Sequence, residues 1–404
     1  MSGAGFDLGR VLRPVELDRF FSDYWEQRPL IIARSEPDYY ADLCSLQDVD
    51  YIISSTDLRH PAIRLVKNGS EIPLRHYATN VPWGNDVFTG VADVAKVLAE
   101  YRRGATIVLQ AMHRSWTPLA LFCRNLEAYL TYPLQTNVYL TPPSAQGFAP
   151  HYDTHDVFVL QISGSKHWRI YGSPLPLPDR SLPSGSVKVH IGEPVHELDL
   201  TPGDLIYLPR GYIHEALTSE SESLHITVGI PPVTWIDVFS EALALCHQDV
   251  RFRQALPVGF ATQATMSAAV HDQFDALFTV FKERTSLDAV MARLAERFIT
   301  SRPPMLEGQL LELAAADRLE VDTIVQKRPG IIYRLAADDH SVSLLFPGQK
   351  ITFPKYGEPL LRFISETSEF TISSLPGDIE VAEKMGLVRR LIREGFLTPV
   401  QETP

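Results

Sequence analysis

The chain has 404 residues, 45% hydrophobic and 21% charged, which suits a globular protein with room for two or three domains. A net charge of −12 and a pI near 5.5 argue against general affinity for DNA or RNA and are compatible with a basic protein or peptide as partner. No apolar run reaches membrane-spanning length, residues 1–14 hold no signal-type apolar stretch, and Cys44, Cys123 and Cys246 lie far apart without C-x-x-C spacing, so a cytoplasmic protein with reduced, buried thiols is expected.

In chain order, Leu17–Trp25 has the apolar spacing of a short amphipathic helix, Arg28-Pro29 stops it, and Leu30–Ile32 starts a strand. Helical and strand pieces then alternate weakly to Tyr101, followed by a strand over Ala105–Gln110 and a helix over Ser115–Leu130. From Thr136 the pattern becomes short strands punctuated by Gly and Pro: Thr136–Leu140, Val157–Ile162, His167–Tyr171, Val187–Ile191, Leu205–Leu208 and Leu224–Ile230, with Pro174–Pro183 a loop. Such strands without intervening helices predict an antiparallel barrel or sandwich. After Pro231-Pro232 helical periodicity takes over, at Trp235–Ala255 and Asp272–Phe298. So many large apolar residues in a small segment need cover, from the barrel or from a second copy in a homodimer. The remainder mixes strands (Ile331–Leu335, Val342–Phe346, Lys350–Phe353) with helices (Pro359–Ile364, Val381–Glu394), closed by Gly395-Phe396-Leu397. That order fits a winged-helix-like module, of mixed charge rather than basic and so not a DNA reader. The expected division is residues 1–233, 234–310 and 311–404, in an α+β chain.

The chemistry concentrates in His151-Tyr152-Asp153. Residues two apart on a strand share a face, so His151 and Asp153 can address one centre. The turn Pro202-Gly203-Asp204, the apolar strand Leu205–Leu208 and the turn Pro209-Arg210-Gly211 deliver His214. Two histidines and one carboxylate on one face of a metal are the ligand set of non-haem Fe(II) oxygenases. The plainer reading, two hydrogen-bonded core histidines, leaves unexplained why both segments flank barrel strands.

The stretch from His151 through Val157-Phe-Val-Leu-Gln-Ile-Ser-Gly-Ser-Lys-His-Trp-Arg-Ile-Tyr171 resembles the core of the JmjC-type 2-oxoglutarate oxygenases. More narrowly it resembles their ribosomal oxygenase subgroup, as do Tyr24-Trp25-Glu26-Gln27-Arg28-Pro29-Leu30 and the order of parts. The resemblance implies a double-stranded β-helix (cupin or jelly-roll) barrel, a helical dimerisation segment, Fe(II), 2-oxoglutarate and O2, and hydroxylation of a His or Arg side chain in a ribosomal protein. The distal carboxylate of 2-oxoglutarate must be paired inside the barrel. Lys166 matches the family's lysine for that role, a lysine typical of the histidine-hydroxylating branch. Asn137 and Thr227 match cosubstrate positions, and Tyr139 lies on the face of Asn137.

His155 and Asp156 either line the entrance or serve as hydrogen-bonding turn residues. His225 shares a face with Thr227, as support behind the ligands or as a core histidine. Trp168 and Phe158 read as barrel core, and His190 and His196 as loop or edge residues. Arg210 and Tyr212 flank His214 in an exposed turn, where substrate contact is the lesser of two readings. The serines lack nucleophile-elbow context, which excludes hydrolase chemistry of that type. Competing functions are hydroxylation of a natural-product precursor peptide, lysine demethylation, a Zn or Mn cupin isomerase, and a metal-binding cupin regulator; the acidic charge speaks against DNA binding by the last.

Overall fold

The computed structural model describes residues 5–185, 191–217 and 220–400, so the strand expected at Val187–Ile191, and His190 with it, falls largely outside the described residues. The chain divides into two compact units, Met1–Pro232 and Val233–Pro404.

The first unit opens with helices α1 (Leu8–Leu12) and α2 (Leu17–Asp23), strand β1 (Leu30–Ile32) and α3 (Leu46–Ser55). Strands β2 (Ile63–Lys67) and β3 (Ser70–Glu71), the hairpin β4 (Ala78–Trp83) and β5 (Asp86–Ala92), α4 (Val94–Arg102), β6 (Thr106–Leu109) and α5 (Thr117–Leu130) follow. Next come β7 (Gln135–Thr141), β8 (Asp156–Gly164), β9 (Lys166–Ile170), β10 (His196–Leu200), β11 (Leu205–Leu208), β12 (His214–Leu217) and β13 (Ser223–Ile230).

Two sheets face each other. The larger runs β1-β11-β8-β13-β7-β6-β2-β3, the smaller β10-β9-β12, and every pairing in them is antiparallel. Bridges from Gln146 to Leu217 and from His151 to His214 lay residues 146–151 beside β12 as a fourth line of the smaller sheet. From β7 to β13 the chain segments alternate between the sheets except for the antiparallel step from β9 to β10 within the smaller one, the winding of a double-stranded β-helix.

The apolar run of β8 is buried on both faces, and its side chains divide by parity. Phe158 and Leu160 pack outward with Tyr207, Ile226 and the N-terminal helices, whereas Val157 and Val159 pack inward with Trp168, Ile170 and Ile206. This explains a strand that reads as continuously hydrophobic. His196 begins the edge strand β10, consistent with the edge option for that residue.

The second unit contains α6 (Trp235–Cys246), α7 (Ala268–Arg284), α8 (Leu287–Thr300), α9 (Gln309–Ala315), β14 (Ile324–Lys327), β15 (Arg334–Ala337), β16 (Ser341–Phe346), β17 (Gln349–Pro354), α10 (Glu358–Glu366), β18 (Glu369–Thr371), α11 (Val381–Arg393) and β19 (Leu397–Pro399). Two three-stranded sheets, β18-β14-β19 and β15-β16-β17, close on a core that includes Val325, Leu344, Phe346, Ile364, Leu391 and Phe396.

The helix expected over Asp272–Phe298 is two helices. Thr285 and Ser286 turn extended between them, Thr285 Oγ1 donates to the Phe281 carbonyl at 2.7 Å, and Ser286 takes the N-cap position of α8. The apolar periodicity continues across the break, which is why the sequence pattern hides it. The helix expected over Trp235–Ala255 stops at Cys246, and Asp249 then caps a short 3-10 turn at Val250–Arg253. The strand expected from Ile331 begins only at Arg334.

Candidate metal centre and cosubstrate cavity

His151 and His214 are held against each other by their own backbones. His151 N–H donates to the His214 carbonyl at 3.1 Å and His214 N–H returns the bond at 2.8 Å, setting the ring centroids 4.5 Å apart. The His151 Nδ1 lies 2.8 Å from the Ala149 carbonyl and the His214 Nδ1 3.1 Å from that of Tyr212. A carbonyl only accepts, so each Nδ1 carries the proton and each Nε2 presents its lone pair. Asp153 Oδ2 stands 3.6 Å from His214 Nε2, and ligand atoms of all three residues lie within 4.8 Å of one another. Burial lowers the His214 pKa and so favours its neutral ring; burial opposes ionisation of Asp153, yet the electrostatic influence of the surrounding imidazoles, His214 foremost, holds its carboxyl below its usual range. Neutral imidazoles and an ionised carboxylate are the donor forms a divalent metal requires. The triad therefore fits Fe(II).

The turn that carries His214 is fixed from behind. Arg210 is only 6% exposed and Asp156 is completely buried. Arg210 Nη1 lies 2.8 Å from Asp156 Oδ2 and 2.6 Å from Glu26 Oε1, and its backbone N–H donates to Asp156 Oδ1. Tyr207 OH donates to Asp156, accepts from the Glu26 N–H and stacks under Trp25, while Tyr212 OH donates to the Gln27 carbonyl. This corrects the picture of an exposed turn: Arg210 and Asp156 brace the fold, and the Tyr24–Leu30 stretch is their clamp. Arg210→Ala leaves a buried carboxylate unpaired, and urea unfolding should show a loss of about 3–5 kcal/mol.

A cavity of about 310 Å³ opens beside the triad. Register sets its wall: on β13 and β7, Thr227 pairs with Asn137 and His225 with Tyr139, all four facing inward. Asn137 accepts from the Ala111 N–H at 3.1 Å. His225 stacks flat on Tyr139 at 4.8 Å, and burial, then the nearby charge of Lys166, keeps its imidazole neutral. Trp168 lines this cavity 6.0 Å from the His214 ring, so it belongs to the site wall as well as to the core.

Lys166 is 4% exposed and donates to Thr141 Oγ1 at 3.1 Å; among the described residues it has no carboxylate partner. Burial pushes its pKa down to about 7. It is placed by Gly164, whose φ of +62° and close approach (an added Cβ would stand 1.7 Å from the Glu222 carbonyl oxygen) demand glycine. Trp168 Nε1 and His225 Nδ1 are also buried, without hydrogen-bond partners among the described residues. A buried cation and unused polar atoms around one cavity fit a small anionic ligand such as a dicarboxylate. Sequence reasoning missed Thr141, Thr106, Arg64 and Glu215. Thr141 shares the parity of Asn137 and Tyr139 and was within reach of that argument; Arg64 comes from β2 in the larger sheet, remote in sequence from the ligand strands, and gave no signal.

An antiparallel double-stranded β-helix with a His-x-Asp…His triad at its mouth defines a JmjC-type 2-oxoglutarate oxygenase, and residues 111–238 match the family model described as JmjC domain. The chain is 30% identical to Ribosomal oxygenase 1 of Gallus gallus over 96% of its own length and 71% of the relative's. It is 32% identical to the Homo sapiens Ribosomal oxygenase 1 over 73% of its length and 48% of that protein's, so it spans about half of the mammalian relative. The Drosophila persimilis bifunctional lysine-specific demethylase and histidyl-hydroxylase NO66 is 34% identical over 62% of the chain and 36% of the relative. Among solved structures, the Escherichia coli ribosomal oxygenase YcfD superposes with a TM-score of 0.56 at 16% identity, covering 96% of this chain and 98% of that one. The chain belongs to the ribosomal oxygenase family and is a 2-oxoglutarate-dependent oxygenase.

Proposed function

We propose that the chain hydroxylates a His or Arg side chain of a ribosomal protein. The observation that carries the chemistry is the buried Lys166 facing the same cavity as the triad, with no carboxylate of its own. His151, Asp153 and His214 would hold Fe(II), and Lys166, with Asn137, Tyr139 and Thr227 around it, the 2-oxoglutarate. The bound iron supplies the redox chemistry that couples oxidative decarboxylation of 2-oxoglutarate, to succinate and CO2, to insertion of oxygen into a substrate C–H bond. The protein's own residues orient the two partners and keep other groups away from the oxidant. The ribosomal target is supported by family membership.

Incubation with Fe(II), 2-oxoglutarate and purified ribosomal proteins should add one oxygen to a His or Arg residue, located by peptide mass spectrometry. Formaldehyde release would point to demethylation, and oxidation of a short peptide alone to a precursor-peptide hydroxylase. Helices within 234–310 are assigned to self-association, supported by exposed Trp235, Ile236, Phe239, Leu243, Phe274 and Phe278, and residues 311–404 to a winged-helix-like module. The buried free thiols Cys44, Cys123 and Cys246 support a cytoplasmic setting. No helix among the described residues is long and apolar enough to cross a membrane.

A further inference from the structure

Strand β13 holds a glycine that its backbone does not demand. Gly229 lies in regular ladder pairing, opposite Gln135 on one side and Val157 on the other, and is not among the positive-φ glycines. A glycine inside a strand weakens it and commonly marks a close approach. Here the approach is made by His155: a Cβ on Gly229 would stand 2.6 Å from both Cδ2 and Nε2 of the imidazole. The period of two places Gly229 on the cavity face of β13 with Thr227 and His225, and places His155 with Asp153 and Val157 on the line entering β8. His155 therefore lines the cavity that holds the triad. It stands at the Gly229 end, about 13 Å along β13 from His225 at a strand rise of about 3.3 Å per residue.

The two ends of the cavity differ in chemistry. The His225 end adjoins Lys166, whose charge suits the cosubstrate carboxylate. The His155 end offers a partly exposed imidazole with no hydrogen-bond partner among the described residues, unlike the rings of His151 and His214, each of which meets a backbone carbonyl. An imidazole in that position presents two hydrogen-bonding ring nitrogens and a flat face to whatever enters.

We propose that His155 receives and orients the side chain to be oxidised, and that Gly229 is its positioning residue, glycine because only glycine leaves room for the ring. The inference rests on the hydroxylase reading above and names the contact through which that site selects a polar, planar target side chain.

The test uses the full chain loaded with metal, and as probe the ribosomal protein that gains oxygen in the wild-type reaction. His155→Ala should raise KM for that protein roughly tenfold, the loss of one good hydrogen bond, with a smaller change in kcat. Gly229→Ala should raise KM in the same direction by displacing the ring. The double variant should be little worse than His155→Ala alone, because the added Cβ then meets no imidazole and only the flexible side chain of Gln135, whose Cγ lies 3.1 Å away, must give by a few tenths of an ångström. Co(II) absorption of each variant checks that the triad is intact. An unchanged KM in His155→Ala, a loss confined to kcat, or additive effects of the two substitutions overturns the proposal while the hydroxylase reading stands. If the wild-type protein adds oxygen to no ribosomal protein, both fall together.

Discussion

His151→Ala is expected to bring 2-oxoglutarate turnover below detection and to remove tight binding of Co(II) or Fe(II). Each ligand of the triad is supplied once, and no fourth His, Cys, Asp or Glu joins the cluster among the described residues. Groups that merely orient a metal ligand already cost about 10–100-fold in metal affinity or activity when removed; loss of the ligand itself exceeds that. The fold should survive, because the His151 ring makes its hydrogen bond to its own strand, at Ala149, and the pairing with His214 is through backbone atoms. Cobalt titration followed by absorption separates loss of metal from loss of fold. Normal turnover by His151→Ala would dismiss the triad as the catalytic centre. Asp153→Asn is the companion measurement: it keeps the shape and removes the negative charge that lies beside His214.

How much of this could be read from the sequence follows from which interactions are local. The strands that build the barrel announced themselves because β8 and β11 are buried on both faces, and the turns around them use Gly and Pro where backbone geometry requires. His151 and Asp153 were placed by parity alone. That His214 meets them depends on the bridge between residues 146–151 and β12, a pairing across more than sixty positions that no local pattern encodes. Short edge strands such as β10 and β18 carry too few residues to show alternation. The break between α7 and α8 was invisible because the apolar face runs through it. Arg210 was misjudged for a related reason: its partners Glu26 and Asp156 come from segments remote in sequence, so a buried ion pair looked like a charged turn. Gly229 gave no sign of its neighbour until His155 was seen to lie against it.

Lys166→Met should weaken 2-oxoglutarate binding by roughly a hundredfold or more, since it leaves the distal carboxylate buried without a counter-charge. The pH dependence identifies the residue. Without ligand, burial holds the Lys166 pKa near 7, against 10.5 for a free lysine. A dicarboxylate favours the ammonium form, so above about pH 7 binding takes up a proton. Isothermal titration of the metal-loaded wild type should therefore show Kd rising with pH, approaching tenfold per unit above that point. The Met variant should lack this slope. The same shift has the opposite consequence for the ligand-free fold. Because the folded pKa is depressed, the unfolded chain binds more protons between about pH 7 and 10.5. The penalty of burying the charged lysine is present in full below pH 7 and is relieved as pH rises through that window. Ligand-free Lys166→Met should accordingly be more stable than wild type at pH 6, by a margin that shrinks toward pH 10. Weaker binding together with greater stability in one variant separates a cosubstrate residue from a structural one. A variant that lost both would show that Lys166 serves the barrel rather than the ligand.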